Sequence, residues 1–157
     1  MERQPTKKLG EVLVSRGLIT AWQLEQALQE QRTTKEFLGA VLLRMKLLSP
    51  QTLLQALSEQ FKIPCESLSI ARVDWRAAKQ FPRSAFASGK CFPIRADAES
   101  VTIAVANPLE AEALSDIGRV AGFRRMDVVL VLEAELRAIL RHHQQEALRD
   151  LSAQLDM

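Results

Sequence analysis

A repeat at a constant offset constrains this chain more than any other feature. KLGEVLVSRGLITAWQLEQALQEQ (8–31) and FLGAVLLRMKLLSPQTLLQALSEQ (37–60) align without a gap, every matched pair 29 residues apart. Leu9 meets Leu38, Gly10 meets Gly39, Leu13 meets Leu42, Leu24 meets Leu53, Leu28 meets Leu57, and Gln31 meets Gln60. Two copies are fewer than a solenoid needs, and they suit a pseudo-two-fold pair of helical hairpins. Each unit reads as a short helix, a turn and a longer helix. Thr20 and Ser49 stand where an N-cap oxygen receives the free amides of the longer helix. Pro50 takes the first helical position, where its missing amide costs nothing. Leu24, Ala27, Leu28 and Gln31 fall at i, i+3, i+4 and i+7, so the closing glutamine lies on or beside the apolar face.

After Ile63-Pro64 the character changes. Residues 65–90 read as an irregular link with short helices around DWRAAKQF and PRSAF. CFPIRADAESVTIAVANP reads as a hairpin, with strands at 91–95 and 101–106, a turn from Asp97 to Ser100 and a stop at Asn107-Pro108. An amphipathic helix is expected over 109–121, ending at Gly122, then a third strand in MDVVLVL (126–132) and a long charged helix over 133–155. The expected fold is α+β. A four-helix subdomain from the tandem repeats (1–64) and the linking segment (65–90) precede a small α/β subdomain with about three strands (91–157).

Composition removes several function classes. A chain of 157 residues, 47% hydrophobic, can bury a core, and its net charge of +2 is close to neutral. It has no basic block to hold a nucleic-acid polymer. Cys65 and Cys91 fit no metal spacing and read as reduced cysteines of a cytoplasmic protein. No apolar run approaches the ~18 residues of a membrane span, so no direct membrane insertion is expected. Gly89-Lys90 lacks the rest of a phosphate loop. His142 and His143 are helix neighbours expected on a solvated face, pointing apart, so no metal is expected. No nucleophile elbow or Cys-His signature appears. The chain reads as non-enzymatic, without a cofactor.

The repeat itself has two readings. Its leucines can form the core of a four-helix subdomain, with glycines at turns and close contacts. Alternatively, each copy offers an apolar surface with one amide that must find hydrogen-bond partners, and glycines where a ligand can approach the backbone. Such a pair of surfaces suits a flat ligand that is itself two-fold.

The second reading gains from a resemblance. LGEVLVSRGLITAWQLEQALQEQ followed by LGAVLLRMKLLSPQTLLQALSEQFKIP resembles the tandem motif of the MshEN domain. That domain opens type II secretion and type IV pilus ATPases and is appended to some bacterial membrane glycosyltransferases. PRSAF and FPIRADAESVTIAVANPLEAEALSDI are similar to the family's α/β portion, so the likeness spans roughly residues 7 to 140.

The resemblance implies binding of cyclic di-GMP, each motif gripping half of the dinucleotide. Carried onto this chain, the first half-site is Lys8, Leu9, Gly10, Leu13, Val14, Gly17, Leu24, Leu28 and Gln31. The second is Leu38, Gly39, Leu42, Leu43, Leu53, Leu57 and Gln60, with Arg3 and Asn107 adding polar contacts. The closing glutamines would face ligand and carry little structural load. Lys8 stands where the family opens with arginine, Phe37 where Lys8 stood in the first copy, and Lys46 where Gly17 stood. A lysine supplies charge but not arginine's planar fork.

The implied function is a non-catalytic cyclic di-GMP-binding regulatory domain. It would control an attached or partner membrane machine, a glycosyltransferase or a secretion or pilus ATPase, from the cytoplasmic side of the inner membrane. The alternative is an interaction adaptor that docks such an ATPase to its membrane partner without nucleotide. The last helix runs out without a linker, which favours a domain appended to a glycosyltransferase.

Overall fold

Two hydroxyl caps set the phase of the repeat. The Thr20 hydroxyl accepts from Gln23 N at 3.1 Å while Gln23 Oε1 accepts from Thr20 N at 2.9 Å, a closed capping box. Ser49 Oγ accepts from Thr52 N at 3.2 Å, and Pro50 follows it as the first helical residue. These caps open α2 (Ala21–Thr34) and α4 (Pro50–Phe61), and the short helices α1 (Leu9–Ser15) and α3 (Leu38–Arg44), without side-chain caps, precede them. They come from a computed structural model that describes residues 8–85, 89–108, 117–122 and 124–156.

Equivalent turns join the short helix to the long one in each copy. Leu18 N donates to Leu13 O at 3.0 Å, and Leu47 N to Leu42 O at 3.0 Å. Both turns pass through the left-handed region, at Gly17 (φ 71°) and at Lys46 (φ 59°). Glycine enters that region without steric cost, whereas a residue with a β-carbon loses about 1–2 kcal/mol there.

Packing exchanges partners between the copies. The short helix α1 lies on α4, and α3 lies on α2, so each copy's short helix rests on the other's long one. Glu30 and Glu59, 29 residues apart, mark the same point on the two long helices. Arg44, at the end of α3, pairs with Glu30, and Arg16, at the end of α1, pairs with Glu59. These exposed pairs add little energy. The stabilising term is the enclosed apolar surface of Leu13, Val41, Leu42, Ala56 and Leu57. This unit ends at Ile63 and a second begins at Pro64.

The second unit is built on a three-stranded sheet in the order β1 (Cys91–Ala96), β2 (Ser100–Val105), β3 (Arg125–Leu130). β1 and β2 are antiparallel, while β2 and β3 are parallel. Asp97 forms the hairpin turn: its Oδ1 accepts from Glu99 N and Ser100 N, each at 2.8 Å. Residues 117–121 are helical and end at Gly122 (φ 68°); the earlier part of the expected helix, 109–116, lies outside the described residues.

Residues 65–85 pack on this sheet. They carry a short helix, α5 (Trp75–Ala78), and bury Leu68, Val73, Ala77, Ala78, Phe81 and Ala85. Pro64 O accepts from Leu130 N at 2.8 Å and Glu66 N donates to Leu130 O at 2.9 Å, while Asp74 N donates to Ile94 O at 2.8 Å. Irregular backbone thus supplies partners to both outer strands. Arg95 forks onto Glu66 at 2.7 and 2.9 Å, and that hydrogen bonding holds the Glu66 carboxyl below its usual range.

The long helix α6 (Glu133–Leu155) buries Leu136 and Ile139. His142 and His143 do not stand on a solvated face. Both are half-buried, His142 at 4.9 Å from the Trp75 ring and His143 at 5.5 Å from Phe92. They lie three and four residues beyond Ile139, which returns them to the side that faces the core. Among the described residues no cluster of metal-ligating side chains forms.

Replacing Lys46 with glycine should stabilise the first unit by about 0.5–1 kcal/mol, the left-handed cost less glycine's extra freedom when unfolded. Gly17→Lys should lose a similar amount. Urea unfolding of both variants checks the pair; equal and unchanged midpoints would refute it.

A second expectation concerns acid. Burial, with Arg83 and His142 adding positive charge, holds the His143 pKa below its ordinary 6.5. The folded state therefore prefers the neutral ring. Its stabilisation is full above about 6.5 and falls as the pH drops through the unfolded value towards the folded one. Glu66, depressed from 4.5, gives way only at lower pH. Thermal melts between pH 8 and 5 should show a loss that His143→Phe flattens.

Candidate ligand-binding site

The glycines of the two motifs are occupied by leucine. A β-carbon on Gly10 would stand 2.6 Å from Leu24 Cδ1, and one on Gly39 would stand 3.0 Å from Leu53 Cδ2. In each copy the missing side chain lets the long helix's leucine lie against the short helix. Close packing is what these glycines do here.

The expected site residues separate by depth. Leu13 and Leu42 have no exposed surface, and Leu9, Leu38, Leu53 and Leu57 retain 8% or less. These six form the core, together with Gly10 and Gly39. Val14, Leu24, Leu28, Gln31, Leu43 and Gln60 are half-buried, while Lys8 and Gly17 are exposed. The half-buried residues offer apolar surface with amides at its edge. An open groove of about 350 Å³ lies beside the Arg16 turn, lined by Arg16, Leu18, Gln51, Thr52, Gln55 and Ala56. None of the leucines of the expected half-sites lines it.

Gln31 has structural work. Its Nε2 donates to the Glu36 carbonyl at 3.1 Å, tying the end of α2 to the strand of backbone that opens the second copy. Gln60 keeps its Oε1 buried. Lys8 caps α1 through its backbone, its carbonyl accepting from Val12 N at 3.2 Å, and its side chain stands in solvent. Asn107 belongs to the second unit, half-buried just past β2. Arg3 lies outside the described residues.

Phe37 is the residue that sequence reasoning passed over. Its ring leans on Gly39: Cε1 stands 2.7 Å from where a β-carbon would sit. The signal was the substitution itself, an aromatic opening the second motif where lysine opens the first.

Comparison with known proteins agrees with this architecture. The family model described as MshEN domain matches residues 61–150, more than half of the chain. The type IV pilus assembly ATPase PilB of Thermus thermophilus is 28% identical over 139 residues, covering 87% of this chain and 16% of that protein. PilB of Myxococcus xanthus is 24% identical over 139 residues, covering 88% and 24%. Bacteriophage adsorption protein B of Escherichia coli is 27% identical over 136 residues, covering 87% and 18%. The chain therefore spans less than a quarter of the length of these relatives. Among solved structures, MshE with cdg superposes at a TM-score of 0.75 with 30% identity, covering 83% of this chain and 94% of that one. The N-terminal domain of XpsE superposes at 0.62 with 15% identity, covering 90% and 97%, a likeness of fold.

Gln31→Ala should cost about 0.5–1.5 kcal/mol of stability, the net worth of a typical hydrogen bond. Chemical denaturation measures it. An unchanged midpoint would mean that the bond to Glu36 contributes nothing and the amide is free for a ligand.

Proposed function

The chain belongs to the MshEN domain family, and from that premise we propose that its repeat unit is a cyclic di-GMP receptor regulating an attached or partner machine. The observation that carries the reading is the pseudo-two-fold backbone of the repeat, with equivalent caps, turns and glycine–leucine contacts 29 residues apart. Cyclic di-GMP has the same two-fold character. The solved MshE with cdg, 30% identical to this chain over 83% of its length, supports the choice of ligand.

The division of labour follows from chemistry. Purine faces lie on half-buried apolar side chains, Val14, Leu24 and Leu28 in one copy and Leu43 in the other, each Å² removed from water contributing about 25 cal/mol. Gln31 and Gln60 offer amide groups to polar edges. Lys8, exposed beside Gly10, supplies charge for a phosphate. The buried leucines beneath hold the half-buried ones in place. The domain has no catalytic task in this reading. The machine it governs is a pilus or secretion ATPase or a membrane glycosyltransferase, and two of the relatives are pilus assembly ATPases.

A second reading, an adaptor that docks to protein, draws on Trp22. It is 71% exposed at the start of α2, and exposed tryptophans are frequent anchors of interfaces.

Calorimetric titration separates the two. Cyclic di-GMP should bind one per chain, with GTP and GMP giving no comparable heat; two ligands per chain, or none, would overturn the receptor. Lys8→Arg should tighten binding by up to ~1–3 kcal/mol, the worth of a bidentate base contact. Lys8→Ala should weaken it and lower its salt sensitivity. Identical constants in all three proteins would show that Lys8 faces solvent in the complex too.

A further inference from the structure

We propose that Phe37 makes the two half-sites unequal: its ring covers the second one in the free protein and must turn aside before a ligand settles there. The proposal rests on the reading of the repeat as a dinucleotide site.

The backbone at the two motif-opening positions is the same. Lys8 (φ −60°, ψ 146°) and Phe37 (φ −61°, ψ 137°) both cap a short helix, and their carbonyls accept from Val12 N and Val41 N, each at 3.2 Å. The difference lies in what the side chain does next. Lys8 reaches into solvent. Phe37 folds back over Gly39, whose missing β-carbon leaves the room its ring occupies.

The leucines register the result. Leu24 presses on Gly10, with Cδ1 at 2.6 Å from the position of a β-carbon, and remains half-buried. Its counterpart Leu53 stands further off, at 3.0 and 3.1 Å, shares the space with the Phe37 ring and is only 7% exposed. At this contact the first copy therefore leaves its leucine half-open, and the second keeps its leucine covered. A two-fold ligand reaches Leu24 directly in the first copy, whereas to reach Leu53 in the second its other half must displace an aromatic ring. Displacement lowers the apparent affinity by the fraction of molecules in which the ring already stands aside.

The test uses the whole chain and two variants, Phe37→Ala and Phe37→Lys, the second retaining an aliphatic stem over Leu53. Each is titrated with cyclic di-GMP by calorimetry, and association is followed by stopped flow. Thermal melts report that each variant is folded. Both variants should bind more tightly, by up to about tenfold if the ring stands aside in about one molecule in ten, and should associate faster. Heat from the variants with none from the parent would support the gate in its strongest form. Weaker binding in both variants would make the ring a stacking platform and overturn the proposal, as would unchanged constants. No heat from any of the three proteins would overturn the dinucleotide reading itself, and the gate with it.

Discussion

The first unit depends on the absence of a β-carbon at two positions. Gly10 and Gly39 allow Leu24 and Leu53 to touch the short helices, a contact that a methyl group at either glycine would occupy. With those contacts made, the short helices are free to rest on the long helices of the opposite copy. Neither hairpin could enclose its own leucines alone. The exchange buries Leu13 and Leu42 completely, where truncation of such a side chain to alanine typically costs about 2–5 kcal/mol. Two copies suffice because each completes the other.

Much of this was legible in the sequence because the signals are local. Thr20, Ser49 and Pro50 mark helix starts through hydrogen bonds within three residues, and the two long helices begin where those caps stand. Asp97 and Ser100 mark the hairpin for the same reason. What the sequence hid is long-range. Nothing in Pro64 and Glu66 announces that they will bond Leu130, or in Asp74 that it will bond Ile94, because irregular backbone has no periodicity to betray its partners. His142 and His143 were legible in principle, lying one turn beyond Ile139. Their polarity argued for solvent, and the rings of Trp75 and Phe92 outweighed it.

The candidate site was legible as a set of positions and illegible in depth. A four-helix core and a ligand face are both made of leucine at helical spacing, so the pattern cannot separate Leu13, which is enclosed, from Leu28, which is half-buried. Only the packing separates them. Gln31 was read as a ligand-facing amide, yet part-buried amides seek partners wherever they are nearest, and Glu36 O is five residues away.

Two of the departures between the copies flank the short helices. Lys8 faces Phe37 across the offset at the start of the short helices, and Gly17 faces Lys46 just past their ends. Between them the glycine–leucine contacts and the buried Leu13 and Leu42 are retained in both copies. The glycine–leucine contacts that hold the helices together are thus doubled, while these two flanking positions differ. The family match adds to this division, since it spans 61–150 and carries membership largely through the second unit. The proposed ligand residues other than Asn107 all precede it. The two copies therefore share the contacts that hold the repeat together, and on the proposed reading Lys8 and Phe37, at the openings of the short helices, are where single side chains would tune the grip on a ligand.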